Sequence, residues 1–184
     1  CKNRFRCVVN VENSNEICYV ASSSHLSHFV DLEDKRVILR KNNSKTKKTQ
    51  FTLYAVDYNG TKVLLELSLI NRLIYNYITV PNDIVNPMGI VKFEQTLNNN
   101  YKADLVIYEN NQIIVIEAKS LLTFESYATY PSIYIERMKR QFEAIEKLLF
   151  DGHEVYFWLV SLNPNCKTIR INSEDVHFYE SLKK

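Results

Sequence analysis

The run Ile113-Ile114-Val115-Ile116-Glu117-Ala118-Lys119 constrains this chain more than any other segment. Four β-branched residues in succession favour a strand, and a strand apolar at every position fits one covered on both faces. It then ends in two charges. Side chains alternate along a strand, so Glu117 and Lys119 share one face and Ala118 points to the other. Thirteen positions before Glu117, Asp104 sits in a second strand-like run, Ala103 to Tyr108. Asn110-Asn111 between the runs predicts a hairpin turn that brings Asp104 back beside Glu117.

Two carboxylates held close together repel, and one of them protonates unless a cation lies between. Oxygen ligands suit a hard divalent ion, so Mg²⁺ or Mn²⁺ is the expected cofactor, with Asp104 and Glu117 as ligands. Such an ion polarises a phosphoryl oxygen and lowers the pKa of a bound water. Lys119 is placed to orient that water or to stabilise charge developing on a phosphate. A charge pair at the end of an exposed strand is often only a weak solvated contact. The apolar residues at 113–116 argue that these charges emerge from a buried strand instead.

Before this segment the chain reads as short strands: Phe5 to Val11, Ile17 to Ala21, Val37 to Leu39, Phe51 to Tyr58 and Lys62 to Leu67. In the fourth, Phe51, Leu53 and Ala55 are expected inward against Thr52 and Tyr54. Asn59-Gly60 is a strong hairpin signal, because both residues tolerate positive φ. This pattern fits a small barrel or sandwich. Ser68 to Ile78 predicts a helix, capped by Ser68, with Leu69, Ile70, Leu73, Ile74 and Tyr77 on one face. Val80-Pro81-Asn82-Asp83 breaks it, giving an expected division into residues 1–80 and 81–184. Beyond the break come strands at Ile90 to Leu97, Ala103 to Tyr108 and Ile113 to Glu117. A helix follows, with Ile135, Met138, Phe142, Ile145, Leu148 and Leu149 on one face, stopped by Asp151-Gly152. Val155 to Leu162, apolar on both faces, reads as a central buried strand. The second part is a mixed α/β module.

Charge separates the two parts. Residues 1–80 carry 12 basic and 7 acidic side chains, whereas residues 81–184 carry 11 and 14. Much of the excess is one stretch: Lys35, Arg36, Arg40, Lys41, Lys45, Lys47 and Lys48, with no acid between them. As a loop between two barrel strands it would be a mobile cationic arm with salt-dependent affinity for phosphates. Phe51, Tyr54 and Tyr58 are candidates for stacking bases. Cys1, Cys7, Cys18 and Cys166 form no CxxC pair, and with His25, His28, His153 and His177 they make no zinc pattern. They read as reduced thiols in a cytoplasmic protein. No apolar run approaches the length of a bilayer span, so no membrane partner is expected.

The residues also carry a family resemblance. Asp104 with Glu117-Ala118-Lys119 resembles the core of the PD-(D/E)XK nuclease superfamily. More narrowly, the chain is similar to the sugar fermentation stimulation protein A (SfsA) family. The matching segments are Asn-Arg-Phe-Arg at 3–6, Asn71-Arg72-Leu73, Val91-Lys92-Phe93-Glu94, Asp104, Glu-Ala-Lys-Ser at 117–120, and Tyr130-Pro131 followed by Glu136-Arg137. Their order and spacing hold along nearly the whole chain. Where the family carries a His-x-Pro-Asn-Thr-Gly-like motif, this chain has Val20-Ala21-Ser22-Ser23-Ser24-His25. Where a Lys-His pair usually follows Glu-Arg, it has Arg140-Gln141.

The resemblance implies a small N-terminal OB-like β-barrel followed by a restriction-endonuclease-like mixed α/β domain. It implies binding to nucleic acid, DNA first, and a divalent-metal-dependent nuclease site. By analogy Glu94 joins Asp104 and Glu117 as a metal ligand, and Glu136 and Arg137 open the helix flanking the site. Arg4, Arg6 and Arg72 join the basic arm as nucleic-acid contacts. The alternative is a DNA-binding or regulatory protein that keeps the nuclease fold without turnover. A homodimer stays open.

Overall fold

The structure is a computed structural model, and it describes residues 5–21, 31–43, 48–80, 89–97, 101–109, 112–131 and 136–183. Contacts divide the chain into two compact units. One comprises Cys1–Leu69, Ser120–Ala128 and Ser161–Thr168; the other comprises Ile70–Lys119, Thr129–Val160 and Ile169–Lys184.

The first unit is the expected strand-rich module. Strands β1 (Arg6–Val11) and β2 (Ser14–Tyr19) pair antiparallel through a two-residue turn. Its residues, Glu12 and Asn13, have φ of 49° and 67°. β3 (Val37–Lys41), β4 (Phe51–Tyr58) and β5 (Thr61–Leu64) complete a five-stranded sheet. The β4–β5 turn is Asn59-Gly60, both at positive φ, as their residue types predict. β4 pairs with three strands. β3 runs antiparallel to it, β2 pairs parallel at Phe51 and Thr52, and β5 pairs antiparallel from Ala55 to Tyr58. Because β3 covers Phe51 to Val56, β2 and β5 must share the opposite edge of β4.

That crowding changes the burial expected for β4. Thr52 and Val56 are as buried as Leu53 and Ala55. The Thr52 hydroxyl, fully out of water, donates to Asn42 Oδ1 at 2.9 Å, which removes most of the penalty for a buried polar group. Around β4 lie Cys7, Cys18, Val20, Val63 and Leu65, with Leu122 and Phe124 returning from the 120–128 segment to cover them.

The second unit is built on a four-stranded sheet in the order β10-β8-β7-β6, where β6 is Ile90–Thr96, β7 Lys102–Glu109, β8 Gln112–Leu121 and β10 Glu154–Ser161. Helix α1 (Ile70–Thr79) contacts β6 and β7. It buries Ile70, Ile74 and Ile78, a narrower stripe than its pattern predicts, and leaves Leu73 and Tyr77 exposed. Ser68 lies in a 3-10 turn, Leu67–Leu69, before the helix. Helix α2 (Glu136–Phe150) buries Ile145 and Leu148 against Val106 and Val115, and Ile135, expected on the same face, lies outside the described residues. Leu149, expected on the buried face, is exposed. Gly152, at φ 82°, closes α2: its N–H reaches Leu149 O and that of His153 reaches Leu148 O.

Three features depart from the sequence reading. Among the described residues β10 is an edge strand bonded only to β8, and its residues are mostly half-buried. Its apolar character comes from contact with aromatic rings: Phe157 meets Phe142 and Tyr130, and Trp158 meets Tyr77. Second, β9 (Tyr127–Tyr130) with β11 (Thr168–Ile171), and helix α3 (Val176–Lys183), were not anticipated. The Asp175 carboxylate accepts the Phe178 N–H at 3.1 Å and so caps α3. Third, the division falls after Leu69 rather than after residue 80, because α1 packs on β6 and β7. The segments 120–128 and 161–168 rejoin the first unit through bonds such as Leu64 N–H to Leu162 O (3.3 Å) and Asn165 Nδ2 to Thr61 Oγ1 (2.6 Å). Among the described residues no helix is long and apolar enough to cross a membrane.

One member of the basic stretch has a structural role. Arg40 makes a two-point contact with Glu66, whose carboxylate is almost wholly buried, and Arg40 Nε lies 2.9 Å from Oε2. Truncating the arginine strands that buried charge, so Arg40→Ala is expected to destabilise the protein by about 2 kcal/mol, with part recovered in Arg40→Ala/Glu66→Gln. Urea unfolding of both variants checks this; an unchanged midpoint for Arg40→Ala would show that the pair contributes nothing.

Candidate functional site

The site forms where β7 and β8 part. Their antiparallel ladder runs from Glu109↔Gln112 to Leu105↔Ile116. One step further the register would set Asp104 against Glu117. There the Asp104 side chain takes over from the backbone: Oδ2 accepts the Ala118 N–H at 2.9 Å. Oδ1 accepts the Asn71 side-chain amide, from the first turn of α1, at 3.1 Å. The Asp104 carboxylate is thus fixed at both oxygens, beside the residue that follows Glu117.

Glu117 is only 2% exposed. Such a charge is tolerable only with close partners. Lys119 Nζ lies 2.5 Å from Oε1, and the Tyr101 hydroxyl donates to Oε2 at 2.7 Å. The strand alternation that puts Glu117 and Lys119 on one face makes the first contact available within β8. Burial raises the Glu117 pKa above the ordinary glutamate value. Lys119 opposes that rise, the Asp104 charge adds to it, and the Lys119 and Tyr101 hydrogen bonds oppose it further. Tyr101 is itself pushed far up by burial and then by the neighbouring Glu117 charge, so it stays a neutral donor, with Gln141 of α2 in hydrogen-bonding contact. Lys119 Nζ also lies 5.9 Å from the centre of the Phe157 ring.

Asp104, Glu117 and Lys119 therefore come together. Glu94 does not join them. Along β6 its register position faces Asp104, between Phe93↔Leu105 and Gln95↔Ala103. Its φ of 47° takes it out of the extended ladder, and its exposed carboxylate pairs with Lys102 at 2.5 Å. Among the described residues no cluster of three or more metal-binding side chains forms. Two carboxylates with hard oxygen donors nevertheless fit Mg²⁺ or Mn²⁺, which commonly take one or two protein carboxylates and fill the remaining positions with water or phosphate. At Glu117 the Lys119 ammonium already supplies the positive charge that such an ion would bring.

Of the expected nucleic-acid contacts, Arg6, Arg36, Lys41, Lys48 and Arg72 are exposed. Arg40 is held by Glu66, because that buried carboxylate needs it. Arg4, Lys45 and Lys47 lie outside the described residues, as do His25, His28 and the Asn110-Asn111 turn. The expected stacking rings are partly committed: Phe51 and Tyr58 pack on the first core, Tyr58 also 4.8 Å from the Phe124 ring. Sequence reasoning missed Tyr101 and Gln141. Tyr101 follows three asparagines, so nothing in its local pattern marks it as a core tyrosine.

Comparison with known proteins agrees with this architecture. The family model described as the SfsA N-terminal OB domain matches residues 2–65, and that described as the sugar fermentation stimulation protein RE domain matches residues 68–184. A sugar fermentation stimulation protein homolog of Clostridium beijerinckii is 21% identical over 174 residues, covering 90% of this chain and 76% of that protein. One from Natranaerobius thermophilus is 26% identical over 157 residues, covering 83% and 65% respectively. Among solved structures, Pyrococcus furiosus SfsA in complex with Ca²⁺ superposes with a TM-score of 0.77 at 21% identity, covering 98% of this chain and 78% of that one. With an OB domain followed by an RE domain spanning 68–184, this chain belongs to the SfsA family.

Proposed function

We propose that this protein binds nucleic acid, with DNA as the first candidate, and hydrolyses phosphodiester bonds at Asp104, Glu117 and Lys119 with Mg²⁺ or Mn²⁺. The observation that carries this reading is the point where the β7–β8 ladder ends, at which two carboxylates and an ammonium meet. Asp104 and Glu117 would hold the ion. When bound, it supplies polarisation of a phosphoryl oxygen and a more acidic water. Asn71 and the Ala118 N–H hold Asp104 in place, and Tyr101 holds Glu117. Lys119, on the same face of β8 as Glu117, would be the cation that meets a phosphate oxygen. The Ca²⁺ in the Pyrococcus furiosus complex supports the choice of a hard cation. Arg6, Arg36, Lys41, Lys48 and Arg72 offer exposed cations for phosphate contacts.

A second reading has one specific observation in its favour. Both oxygens of Glu117 already have protein donors, and Glu94 adds no third carboxylate. A protein that keeps its charges self-neutralised in this way can bind DNA without cutting it.

The two readings separate by experiment. Incubation of single- and double-stranded DNA with Mg²⁺ or Mn²⁺ is expected to give cleavage that Asp104→Ala and Lys119→Ala lower on the order of a hundredfold or more. Equal cutting by the variants points to a contaminant, and retained binding with no cutting by the wild type supports the second reading. For the arm, Lys41→Ser/Lys48→Ser is expected to weaken DNA binding and reduce the salt slope by roughly one to two; an unchanged slope removes these lysines from the interface.

The raised Glu117 pKa gives a pH test with a definite sign. The folded protein holds this proton over a range where the unfolded chain has lost it, so N binds more protons than U. The contribution of Glu117 to stability is therefore greatest below the ordinary value of 4.5 and declines as pH rises through the folded value. In EDTA, the melting temperature of Glu117→Gln relative to wild type should rise as pH goes from about 4.5 toward neutrality, and a pH-independent difference would contradict this assignment.

A further inference from the structure

Tyr130 ends β9, and its side chain is 7% exposed. Its ring is fixed from two sides, by Phe178 edge-on at 5.5 Å and by Phe157 at 5.9 Å. Its carbonyl accepts the Asn172 N–H at 2.8 Å, so the backbone is held as well. Yet its hydroxyl has no hydrogen-bond partner among the described residues. Buried tyrosine hydroxyls normally find one, because leaving such a group unmade is costly. Phe157 connects this residue to the site: the same ring that packs on Tyr130 lies under the Lys119 ammonium, which is bonded to Glu117. Tyr130 is also within electrostatic reach of the Glu117 charge. Tyr101 spends its hydroxyl on Glu117 Oε2, so the second buried tyrosine near that carboxylate is the one left with a donor to give.

We infer that the Tyr130 hydroxyl is a binding group of the Asp104–Glu117–Lys119 site, kept open for an oxygen of its occupant: either a water carried by a divalent ion or a phosphoryl oxygen. The inference rests on the metal-site reading given above. A rigid ring with an unmatched hydroxyl is a preorganised donor, and it needs no rearrangement when the ligand arrives. It also explains why phenylalanine, which would fill the same aromatic cluster without the unmet hydroxyl, does not stand at this position.

The test uses the full chain and Tyr130→Phe, which keeps the ring packing, with Mn²⁺ alone and Mn²⁺ with inorganic phosphate as probes, read by calorimetry and melting temperature. In EDTA, Tyr130→Phe should melt at or above the wild-type temperature. A hydroxyl required by the fold would lower it, and that result overturns the inference. With Mn²⁺ alone, a Kd raised about fivefold to tenfold assigns the hydroxyl to an ion-bound water. A loss of that size seen only for phosphate in the presence of Mn²⁺ assigns it to a phosphoryl oxygen. Unchanged affinity for both probes, in a protein whose Mn²⁺ binding is lost in Asp104→Ala, overturns the Tyr130 role while leaving the metal site standing. No Mn²⁺ binding by the wild type overturns both.

Discussion

A carboxylate almost entirely out of water, set within β8 just past the last β7–β8 ladder pair, sets the terms for the second unit. Isolated, the Glu117 charge would cost several kcal/mol. It persists because Lys119 and Tyr101 meet its two oxygens. Asp104 is placed with equal economy, bonded by a backbone N–H at the point where the β7–β8 ladder gives out. Neither arrangement adds packing that a leucine could not supply better. Both concentrate charge where two strands diverge, which is where a ligand can reach the residues of a buried sheet.

The first unit handles its charges differently. Glu66, 3% exposed, is neutralised by Arg40 of β3, and Lys35 lies over the Tyr58 ring at 5.7 Å. Part of a stretch that reads as a uniform cationic arm is therefore stitched into the fold. Arg36, Lys41 and Lys48 keep exposed positions around it. Distinguishing the two kinds of cation requires knowing where Glu66 returns in space, which no local pattern contains.

The features legible in the sequence were those set by nearest neighbours. Asn59-Gly60 and Gly152 were readable because positive φ selects few residue types. That Glu117 and Lys119 share a face is readable from strand alternation, and the approach of Asp104 from the hairpin, whereas the direct Lys119–Glu117 contact is not. What escaped was set by distant contacts. The edge position of β10 was hidden because aromatic packing made it as apolar as a central strand. Glu12 turns at positive φ without being a glycine or asparagine, and Glu94 leaves its ladder the same way, so neither announced itself. The return of 120–128 and 161–168 to the first unit depends on contacts of long sequence separation. Tyr101 follows three asparagines and Tyr130 stands out only through the Tyr130-Pro131 match, so no local pattern foretells what their hydroxyls do, one bonded to Glu117 and one open among the described residues.

The measurement that bears most directly on the account is a crystal soaked in Mn²⁺ and examined by anomalous scattering. The account predicts an ion within about 2.0–2.4 Å of oxygens from both Asp104 and Glu117, with the Lys119 ammonium moved off Glu117. An ion bound elsewhere, or a site still closed by the Lys119–Glu117 contact at saturating Mn²⁺, would contradict it.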